Sequence, residues 1–427
     1  MPNTVILGAG LCGLSTAYHS PGPTAVFEKA KEPGGLCRSY ERDGFTFDFT
    51  GHLLHFKSRY FEQFLKQHLS GRLQETKRAA YVFSHGVFTP YPFQANTYGL
   101  PKEIVKECVL GFIETLKDGT APAGDFRTWI LQTFGRGIAK HFMIPYNEKL
   151  WRENLSEMTA DWVSWSVPKP DLEEVIQGAL GRQEKAFGYN PTFLYPKRGG
   201  IAVLAQSMSK KLEGIQYGYE AIRLDIKKKI LTFANGETVS YNVLISTIPL
   251  PHLLAMSNAR GFIRRAAEQL KYIGVWVLNL GVAEKTVTDK HWIYFPERQF
   301  PFYRVGFPSN FSPGVAPKGC TSMYVEVSYR SDEPVDSQYL KRKILDDLQQ
   351  ARLLKSKKNV VVADTKNIPV AYVIFYHHRQ RVLEPIREYL ESHNIYSIGR
   401  YGRWDYFSME DAIMDGRALA KRLQKIR

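Results

Sequence analysis

The chain has 427 residues and 44% hydrophobic content, which is enough for two or three folded cores rather than one. Its four cysteines, Cys12, Cys37, Cys108 and Cys320, show neither a CxxC pair nor metal spacing, so we expect reduced thiols and no metal site. Strand-like sequence begins at about Thr4, and no apolar run approaches the roughly 18 residues of a membrane span. These features exclude a membrane span and favour the cytoplasm.

The net charge of +15 indicates attraction to anions. The basic runs at 227–229 and 355–358 lack the interleaved aromatic residues of a groove for single-stranded nucleic acid. We therefore interpret them as solvated surface. A phosphate-bearing substrate is the second interpretation and nucleic acid a distant third.

The first predicted elements are a strand, a glycine turn, a helix and a second strand within residues 4–29. Gly8 permits the tight turn, Gly10 lets a pyrophosphate approach the backbone, and Gly13 lets the helix pack closely on the strand. Glu28 ends the second strand, where a carboxylate would accept hydrogen bonds from a ribose. The pattern predicts a dinucleotide site.

The glycine pair Gly34-Gly35 follows that strand and keeps a second stretch of backbone free of side chains. This extension resembles the signature of flavoproteins of the glutathione-reductase structural class, so FAD is favoured over NAD. A short strand leads into Gly399, Arg400 and Gly402 near the other end of the chain. In that class such a segment closes over the flavin, which requires the C-terminal region to return to the first domain.

Between these ends, residues 78–93 predict a hairpin that turns at His85-Gly86, and 101–181 predict helices interrupted at 119–124 and 168–170. A helix at 198–212, short strands at 215–246, an antiparallel sheet at 275–327 and helices at 337–352 and 411–427 follow. We expect an α/β fold: a Rossmann-like FAD-binding domain of the glutathione-reductase class, a helical insertion and an antiparallel β-sheet domain. The expected domains are FAD-binding (1–77, 195–265 and 385–427), helical and substrate-binding (97–194), and antiparallel sheet (78–96 and 266–384).

Several internal stretches resemble UDP-galactopyranose mutases, within the amine oxidase and protoporphyrinogen oxidase superfamily, and they occur in family order. They are Pro90-Tyr-Pro-Phe-Gln-Ala-Asn96, Phe142-Met-Ile-Pro-Tyr-Asn-Glu-Lys-Leu-Trp151, Tyr195-Pro-Lys-Arg-Gly-Gly200, Trp292-Ile-Tyr-Phe-Pro296, Pro301-Phe-Tyr-Arg304 and Gly399-Arg-Tyr-Gly-Arg-Trp-Asp-Tyr406. Thr50-Gly51-His52 resembles the Gly-Gly-His loop that lies beside the isoalloxazine ring in that family.

The resemblance implies a cofactor site and a substrate site. The expected cofactor-binding residues are Gly8, Gly10, Leu11, Gly13, Glu28, Lys29, Gly34, Gly35, Leu36, Arg38, Gly51, His52, Gly399, Arg400 and Met409. The expected substrate-binding residues are Tyr91, Phe93, Gln94, Phe142, Asn147, Trp151, Tyr294, Arg304, Tyr372 and Tyr406, and the catalytic residues are Arg304, His52, Tyr406 and Tyr372.

The residue types leave other interpretations open. Phe142 and Trp151 alone would be core residues, and the amides of Gln94 and Asn147 could cap turns. Arg304 is costly to bury without an anion, which is either the substrate diphosphate or a carboxylate in an internal salt bridge. Arg78 is expected near the cleft.

The chain also departs from the family. Ser166 aligns with the family's second arginine that binds the substrate diphosphate, and a serine lacks the positive charge and the paired N–H donors of a guanidinium. Lys169, Arg182 and Lys185 are candidates to replace that arginine. The C-terminal polar flavin contacts are altered to 407-Phe-Ser-Met-Glu-410.

The resemblance implies a flavin-dependent sugar-nucleotide mutase that interconverts pyranose and furanose forms, with N5 of the reduced flavin attacking the anomeric carbon. The substrate would be a nucleotide sugar, with a UDP-linked sugar favoured, and NAD(P)H is a candidate reductant. The alternative is an FAD-dependent oxidoreductase of the amine oxidase or protoporphyrinogen oxidase type. A third class, a flavin-binding or nucleotide-binding protein without enzymatic activity, receives little weight, and a homo-oligomer is left open.

Overall fold

The computed structural model of the protein describes residues 4–116, 123–163, 167–183, 185, 187, 188 and 191–426. Its strands are β1 (Thr4–Leu7), β2 (Thr24–Glu28), β3 (Ser39–Arg42), β4 (Phe45–Asp48), β5 (Leu73–Lys77), β6 (Ala80–Ser84), β7 (Val87–Pro90), β8 (Thr192–Pro196), β9 (Ile215–Tyr217), β10 (Ala221–Asp225), β11 (Ile230–Phe233), β12 (Thr238–Ser240), β13 (Val243–Ser246), β14 (Tyr272–Val282), β15 (Trp292–Tyr294), β16 (Arg304–Gly306), β17 (Thr321–Arg330), β18 (Val360–Val373) and β19 (Ile395–Ser397).

The helices surround these strands. They are α1 (Leu11–His19), α2 (Arg59–Leu69), α3 (Lys102–Thr115), α4 (Phe126–Ile138), α5 (Ile144–Trp151), α6 (Leu172–Leu180), α7 (Ala202–Ser209), α8 (Leu250–Met256), α9 (Phe262–Ala267), α10 (Ser337–Gln350), α11 (Arg379–Ser392), α12 (Gly399–Gly402) and α13 (Met409–Ile426). A π-helical turn, Ala139–Met143, joins α4 to α5.

A parallel sheet in the order β19-β13-β1-β2-β9 forms the Rossmann-like part. All four side chains of β1 are buried, as expected for a central strand covered on both faces. Because β19 pairs with β13, which pairs with β1, the C-terminal part of the chain returns to the first strand as predicted.

A second, seven-stranded sheet has the order β18-β14-β17-β16-β15-β6-β7. The predicted antiparallel sheet is confirmed with one difference, since β15 pairs with β6 in parallel. The sequence interpretation missed β18, an edge strand with Pro369 inside it. Its pairing with β14 shifts register at that proline, and the strand resumes at Tyr372 opposite Ile273. The irregularity therefore lies just before a predicted site residue.

The helical insertion lies between β7 and β8, and it packs α3 closely on α4 through glycines. A Cβ atom at Gly135 would lie 1.9 Å from the carbonyl oxygen of Gly111, so neither helix tolerates a side chain there. The hairpin turn at His85-Gly86, with φ angles of 52° and 76°, and the helix after Gly200 also appear as predicted. The fold class is confirmed, whereas the exact division into three domains stays a prediction.

Candidate active site

The glycine turn after β1 has the backbone conformation that its sequence predicts. Gly8 has φ +98°, and a Cβ atom at Gly13 would lie 1.9 Å from the Gly8 carbonyl oxygen. Gly10 precedes the first residue of α1, so the unpaired N–H groups of the helix start here. Leu11 follows as a buried residue. The local architecture is that of a phosphate-binding turn.

Gly34 and Gly35 lie directly against that turn. The Gly34 N–H donates to the Ala9 carbonyl at 2.8 Å, and a Cβ atom at Gly35 would lie 3.4 Å from Gly10 Cα. Two backbone segments without side chains thus face each other. Arg38 holds the second segment, since its Nε donates to the Gly35 carbonyl at 2.8 Å.

Glu28 lies at the end of β2 beside the same turn. Its carboxylate accepts hydrogen bonds from the N–H groups of Ala9 at 2.8 Å and Ala30 at 2.9 Å. These two bonds fix the carboxylate next to the turn, where the sequence places the ribose. Its neighbour Lys29 is exposed, and Leu36 packs partly buried against the core around Tyr324.

The C-terminal region closes this glycine cradle, which we define as Gly8, Gly10, Gly13, Gly34, Gly35 and Gly399. A Cβ atom at Gly399 would lie 2.9 Å from Cys12 Cβ, and the Gly399 N–H donates to Asp415 at 2.8 Å. Cys12 is buried beneath it, in agreement with a small residue that fills space. Met409 begins α13 and packs against the core that contains Leu11.

A cluster of aromatic rings surrounds Arg400, the residue after Gly399. The Arg400 Cζ atom lies 4.6 Å from the ring centroid of Tyr406 and 5.3 Å from that of Tyr372. The rings of Tyr372 and Tyr406 stack on each other at 6.1 Å. Three predicted residues therefore meet beside the glycine cradle. Burial raises the pKa of Tyr372 to about 12, so its hydroxyl stays protonated and can donate.

Arg304 pairs with a carboxylate on the neighbouring strand. Its Nε donates to Glu326 Oε2 at 2.7 Å and its Nη2 donates to Oε1 at 2.9 Å, while one-fifth (20%) of the side chain remains exposed. The internal salt bridge that the sequence left open is therefore present. Substrate binding through the remaining Nη1 edge stays a prediction.

Tyr294 connects Arg304 to the hairpin of β6 and β7. It lies opposite Arg304 in the strand register, and its ring lies 5.1 Å from that of Tyr91. The Cζ atom of Arg78 lies 5.4 Å from the Tyr91 ring, and Arg78 Nη2 donates to the Phe187 carbonyl. Arg78 therefore lies beside Tyr91, and its place at the active-site cleft stays a prediction.

The predicted amides and aromatic residues of the helical insertion are mostly core. Phe93 and Phe142 stack at 5.2 Å, and Asn147 Nδ2 donates to the Met143 carbonyl at 2.7 Å. Trp151 Nε1 donates to Asn147 Oδ1 at 3.3 Å, so both polar groups are satisfied within the protein. Gln94 donates to the Pro168 carbonyl at 2.6 Å, while its buried Oε1 has no protein partner among the described residues. Nucleotide contacts by these residues stay predictions.

His52 lies in the loop that follows β4, where the charges of Arg400, Glu326 and Arg304 act on it. Burial lowers its pKa to about 4, with the charges of Arg400 and Arg304 contributing in the same direction. Its Nδ1 is 3.0 Å from the Thr50 carbonyl, which assigns the proton to Nδ1. A Cβ atom at Gly51 would lie 2.2 Å from the Tyr324 hydroxyl, so this loop packs tightly on β17.

Two of the candidates to replace a second arginine, Lys185 and Lys169, have partners within the protein. Ser166 is outside the described residues. Lys185 pairs with Glu174 on α6, and the Lys169 Nζ lies 5.3 Å from the Trp129 ring. Arg78 and Arg400 are two further arginines beside the predicted tyrosines: the charge of Arg78 acts on Tyr294, and Arg400 Cζ lies 4.6 Å from the Tyr406 ring.

The sequence interpretation missed Glu326, Tyr324 and Tyr146 as site residues. Glu326 is completely buried (0%), and Tyr146 contacts the ring of Tyr294 at 5.4 Å. Glu326 lies within the strand-like sequence 321–327, just as Arg304 lies within a strand. In both cases a charge that the strand buries predicts a partner of opposite charge. Reading the two strands together would have found the pair.

Two features are absent from the described residues: a metal-binding group and a membrane-spanning helix. No group of His, Cys, Asp and Glu that could hold a metal ion occurs within the described ranges. Likewise, none of the helices described is long and apolar enough to cross a membrane.

Comparison with known proteins agrees with this geometry. The sequence model of the flavin containing amine oxidoreductase family matches residues 11–424. A crystal structure of reduced UDP-galactopyranose mutase superposes with a TM-score of 0.94 at 32% sequence identity, covering 100% of this chain and 94% of the other. The chain belongs to the flavin-containing amine oxidoreductase family and is UDP-galactopyranose mutase-like.

More distant structures share the fold alone. A candidate protoporphyrinogen oxidase from Exiguobacterium sp. 255-15 has a TM-score of 0.78 at 15% identity, covering 100% of this chain and 99% of that protein. A redesigned putrescine oxidase has a TM-score of 0.68 at 14% identity, with 99% of both chains covered. The family is flavin-containing, and the glycine cradle fits FAD because Gly10 and Gly35 face each other without the Cβ atoms that would block a pyrophosphate.

Proposed function

We propose that the protein is a flavin-dependent mutase that interconverts the pyranose and furanose forms of a sugar on a nucleoside diphosphate, with UDP-galactopyranose as the first substrate to test. The observation that carries the proposal is the 32% identity to a UDP-galactopyranose mutase over the full length of this chain. The oxidase-like structures share at most 15% identity, which supports the fold alone.

The cleft residues suit a diphosphate leaving group. The bonds of Arg304 to Glu326 use Nε and Nη2, which leaves the Nη1 edge of the guanidinium for a substrate. Arg400 adds a second positive charge beside Tyr372 and Tyr406. Donors fixed before the reaction stabilise charge as it develops on the leaving group. We assign Arg304, Tyr294, Tyr372 and Tyr406 to the diphosphate and sugar, and Tyr91 to the nucleotide side.

The glycine cradle would hold the FAD pyrophosphate, and Glu28 would hold its ribose. Bound in its reduced form, the flavin would supply the nucleophile at the anomeric carbon, and NAD(P)H is the proposed reductant. His52 would stand beside it as a neutral imidazole, since burial keeps its pKa near 4. Localisation in the cytoplasm and a homo-oligomeric state stay predictions.

The second candidate is a net FAD-dependent oxidoreductase. One observation favours it: the Arg304 guanidinium already binds Glu326 through two of its nitrogens, which leaves less of it for a diphosphate. An oxidoreductase would remove a hydride from its substrate, whereas a mutase returns the flavin unchanged.

Product analysis tests the proposal. The purified FAD-loaded protein, reduced with dithionite under anaerobic conditions, is incubated with UDP-galactopyranose and a panel of other nucleotide sugars. We expect a furanose product from at least one of them, and none with the oxidised protein. Absence of furanose from the whole panel would refute the mutase proposal.

A further inference from the structure

Thr50 connects two parts of the active site through its two polar groups. Its carbonyl oxygen lies 3.0 Å from His52 Nδ1, and its hydroxyl donates to Glu326 Oε1. The same carboxylate oxygen accepts the Gly51 N–H at 3.4 Å and Arg304 Nη2 at 2.9 Å. A continuous hydrogen-bonded path thus runs from His52 through Thr50 and Glu326 to Arg304.

Glu326 is held ionised by these donors. Burial raises its pKa, but the charge and hydrogen bonds of Arg304 together with the Thr50 hydroxyl outweigh that effect, so the pKa lies below its usual value. A carboxylate that is completely buried needs such bonds at each oxygen. Thr50 therefore helps to set where the Glu326 oxygens lie, and these oxygens fix the orientation of the Arg304 fork.

The bond to Glu326 depends on the residue type at position 50, because the donor is the Thr50 side-chain hydroxyl. Gly51 cannot take over this role, because a side chain there would meet the Tyr324 hydroxyl. Among the described residues of this loop, only the Thr50 side chain bonds to Glu326.

We propose that Thr50 is a positioning residue, which orients Arg304 through Glu326 and thereby tightens binding of the substrate's diphosphate. This inference rests on the proposed function, since it assumes that Arg304 contacts the diphosphate. Thr50 lies in the loop beside His52 and acts on the substrate site without itself touching the substrate. Its effect should therefore be specific to ligands with a diphosphate.

Calorimetric titration of the oxidised, FAD-loaded protein with UDP and with uridine tests this role. T50V keeps the branched shape but removes the donor, so we expect UDP to bind roughly five- to tenfold more weakly and uridine to bind unchanged. T50S keeps the donor and should bind UDP within about twofold of the wild type. FAD absorbance and thermal midpoint, measured on each variant, establish that the fold is retained.

A double-mutant cycle with E326M, which removes both carboxylate oxygens, locates the path. If Thr50 acts through Glu326, T50V should add no further loss of UDP affinity in the E326M background. Equal UDP affinity of T50V and wild type would overturn the inference while leaving the mutase proposal standing. Parallel loss of UDP and uridine binding would also overturn it, because it indicates a general structural role. A wild-type protein that binds FAD but not UDP would overturn the inference, whereas the mutase proposal falls only if no nucleotide sugar of the panel gives a furanose.

Discussion

Arg304 has an unusual double requirement, because it must satisfy a buried carboxylate and still present charge to the cleft. The bidentate bonds to Glu326 orient the guanidinium, and the exposed fifth of the side chain is what remains for a ligand. The bonds to Glu326 weaken the affinity of Arg304 for a second anion, but they fix the direction in which its guanidinium points. For a reaction that depends on a preoriented donor, direction is the more useful property.

Replacement of this arginine tests its role. R304M should lower kcat/KM by about 100-fold or more, because a fixed donor to the leaving group is lost, while FAD content stays unchanged. Activity and bound flavin are measured on the same preparation. R298M is the matched control, since Arg298 is exposed and pairs with Glu148 at the surface.

R304M leaves Glu326 buried without its cation, which by itself can destabilise the fold. The double variant R304M/E326Q removes both charges and separates this effect from catalysis. Equal loss of FAD and activity in the double variant would assign Arg304 to the scaffold instead.

The sequence predicted the role of a residue correctly where that role depends on its immediate neighbours in the chain. Gly8 and Gly13 are required by the turn itself, so their pattern and spacing were sufficient. The partner of Arg304 could not be identified in this way, because Glu326 lies 22 residues away and meets it only through strand register. Likewise, Asn147 and Trp151 look like ligand-binding types, but they satisfy each other.

At the scale of elements, the close packing of α1 against the turn after β1 depends on glycine. G13A should abolish FAD binding or folding, since the added methyl would lie 1.9 Å from the Gly8 carbonyl oxygen. G181A is the control, because Gly181 has φ −165° and no atom lies within 4 Å of the place that its Cβ would take. FAD content after purification is the measurement, and a G13A protein with full flavin would contradict the close packing.

Lys149 connects α5 to the segment between β15 and β16. Its Nζ donates to the carbonyls of Phe295 at 2.7 Å, Glu297 at 2.5 Å and Phe302 at 3.2 Å, and burial lowers its pKa to about 7. This segment leads into Tyr303 and Arg304, so the amine fixes the approach to the site.

K149M should destabilise the protein by about 2–4 kcal/mol, because it leaves buried carbonyl groups without a donor. The urea midpoint is measured beside that of K140M, whose lysine is exposed. Equal midpoints for the two variants would show that the three carbonyls find other donors.

Elements were harder to predict where the pattern is broken. The long strand β18 contains Asp364, Lys366 and Pro369, and it runs along a sheet edge where polar residues and proline are tolerated. Helix α11 contains Pro385, which hid its helical periodicity. In both, tertiary context overrides the local signal, whereas the hairpin at His85-Gly86 has a turn that its own residues specify.

At the scale of the whole molecule, buried histidines set the response to acid. Burial lowers the pKa values of His52, His68 and His291 to about 4. Between the unfolded value of about 6.5 and the folded value, the unfolded chain binds more protons, so the free energy of unfolding falls as pH falls. Asp48 and Asp347 oppose this, since burial raises the pKa of both carboxyl groups, that of Asp48 to about 6, but the three histidines outnumber them.

We therefore expect the urea midpoint to fall between about pH 6.5 and about pH 4. H68N, which removes one of the three groups, should show a smaller fall over the same range than the wild type. A midpoint that rises or stays constant on acidification would contradict the neutral burial of these side chains.

Under the proposed function, one site is built from pieces that are distant in sequence: the glycine turn, the 34–35 pair, the hairpin of β6 and β7, the β14–β18 sheet and the segment after Gly399. This arrangement explains why the family match spans residues 11–424 rather than one domain. Under the proposed function, a flavin held there acts without net oxidation of the substrate.

An anaerobic measurement of the flavin spectrum during turnover tests this property most directly. The protein is supplied with many equivalents of UDP-galactopyranose, once with reduced FAD and once with oxidised FAD. We expect furanose in excess of the enzyme from the reduced form, whose spectrum is the same at the end as at the start, and no bleaching of the oxidised form. Stoichiometric bleaching of the oxidised flavin by the sugar nucleotide, with no furanose from the reduced protein, would contradict a mutase.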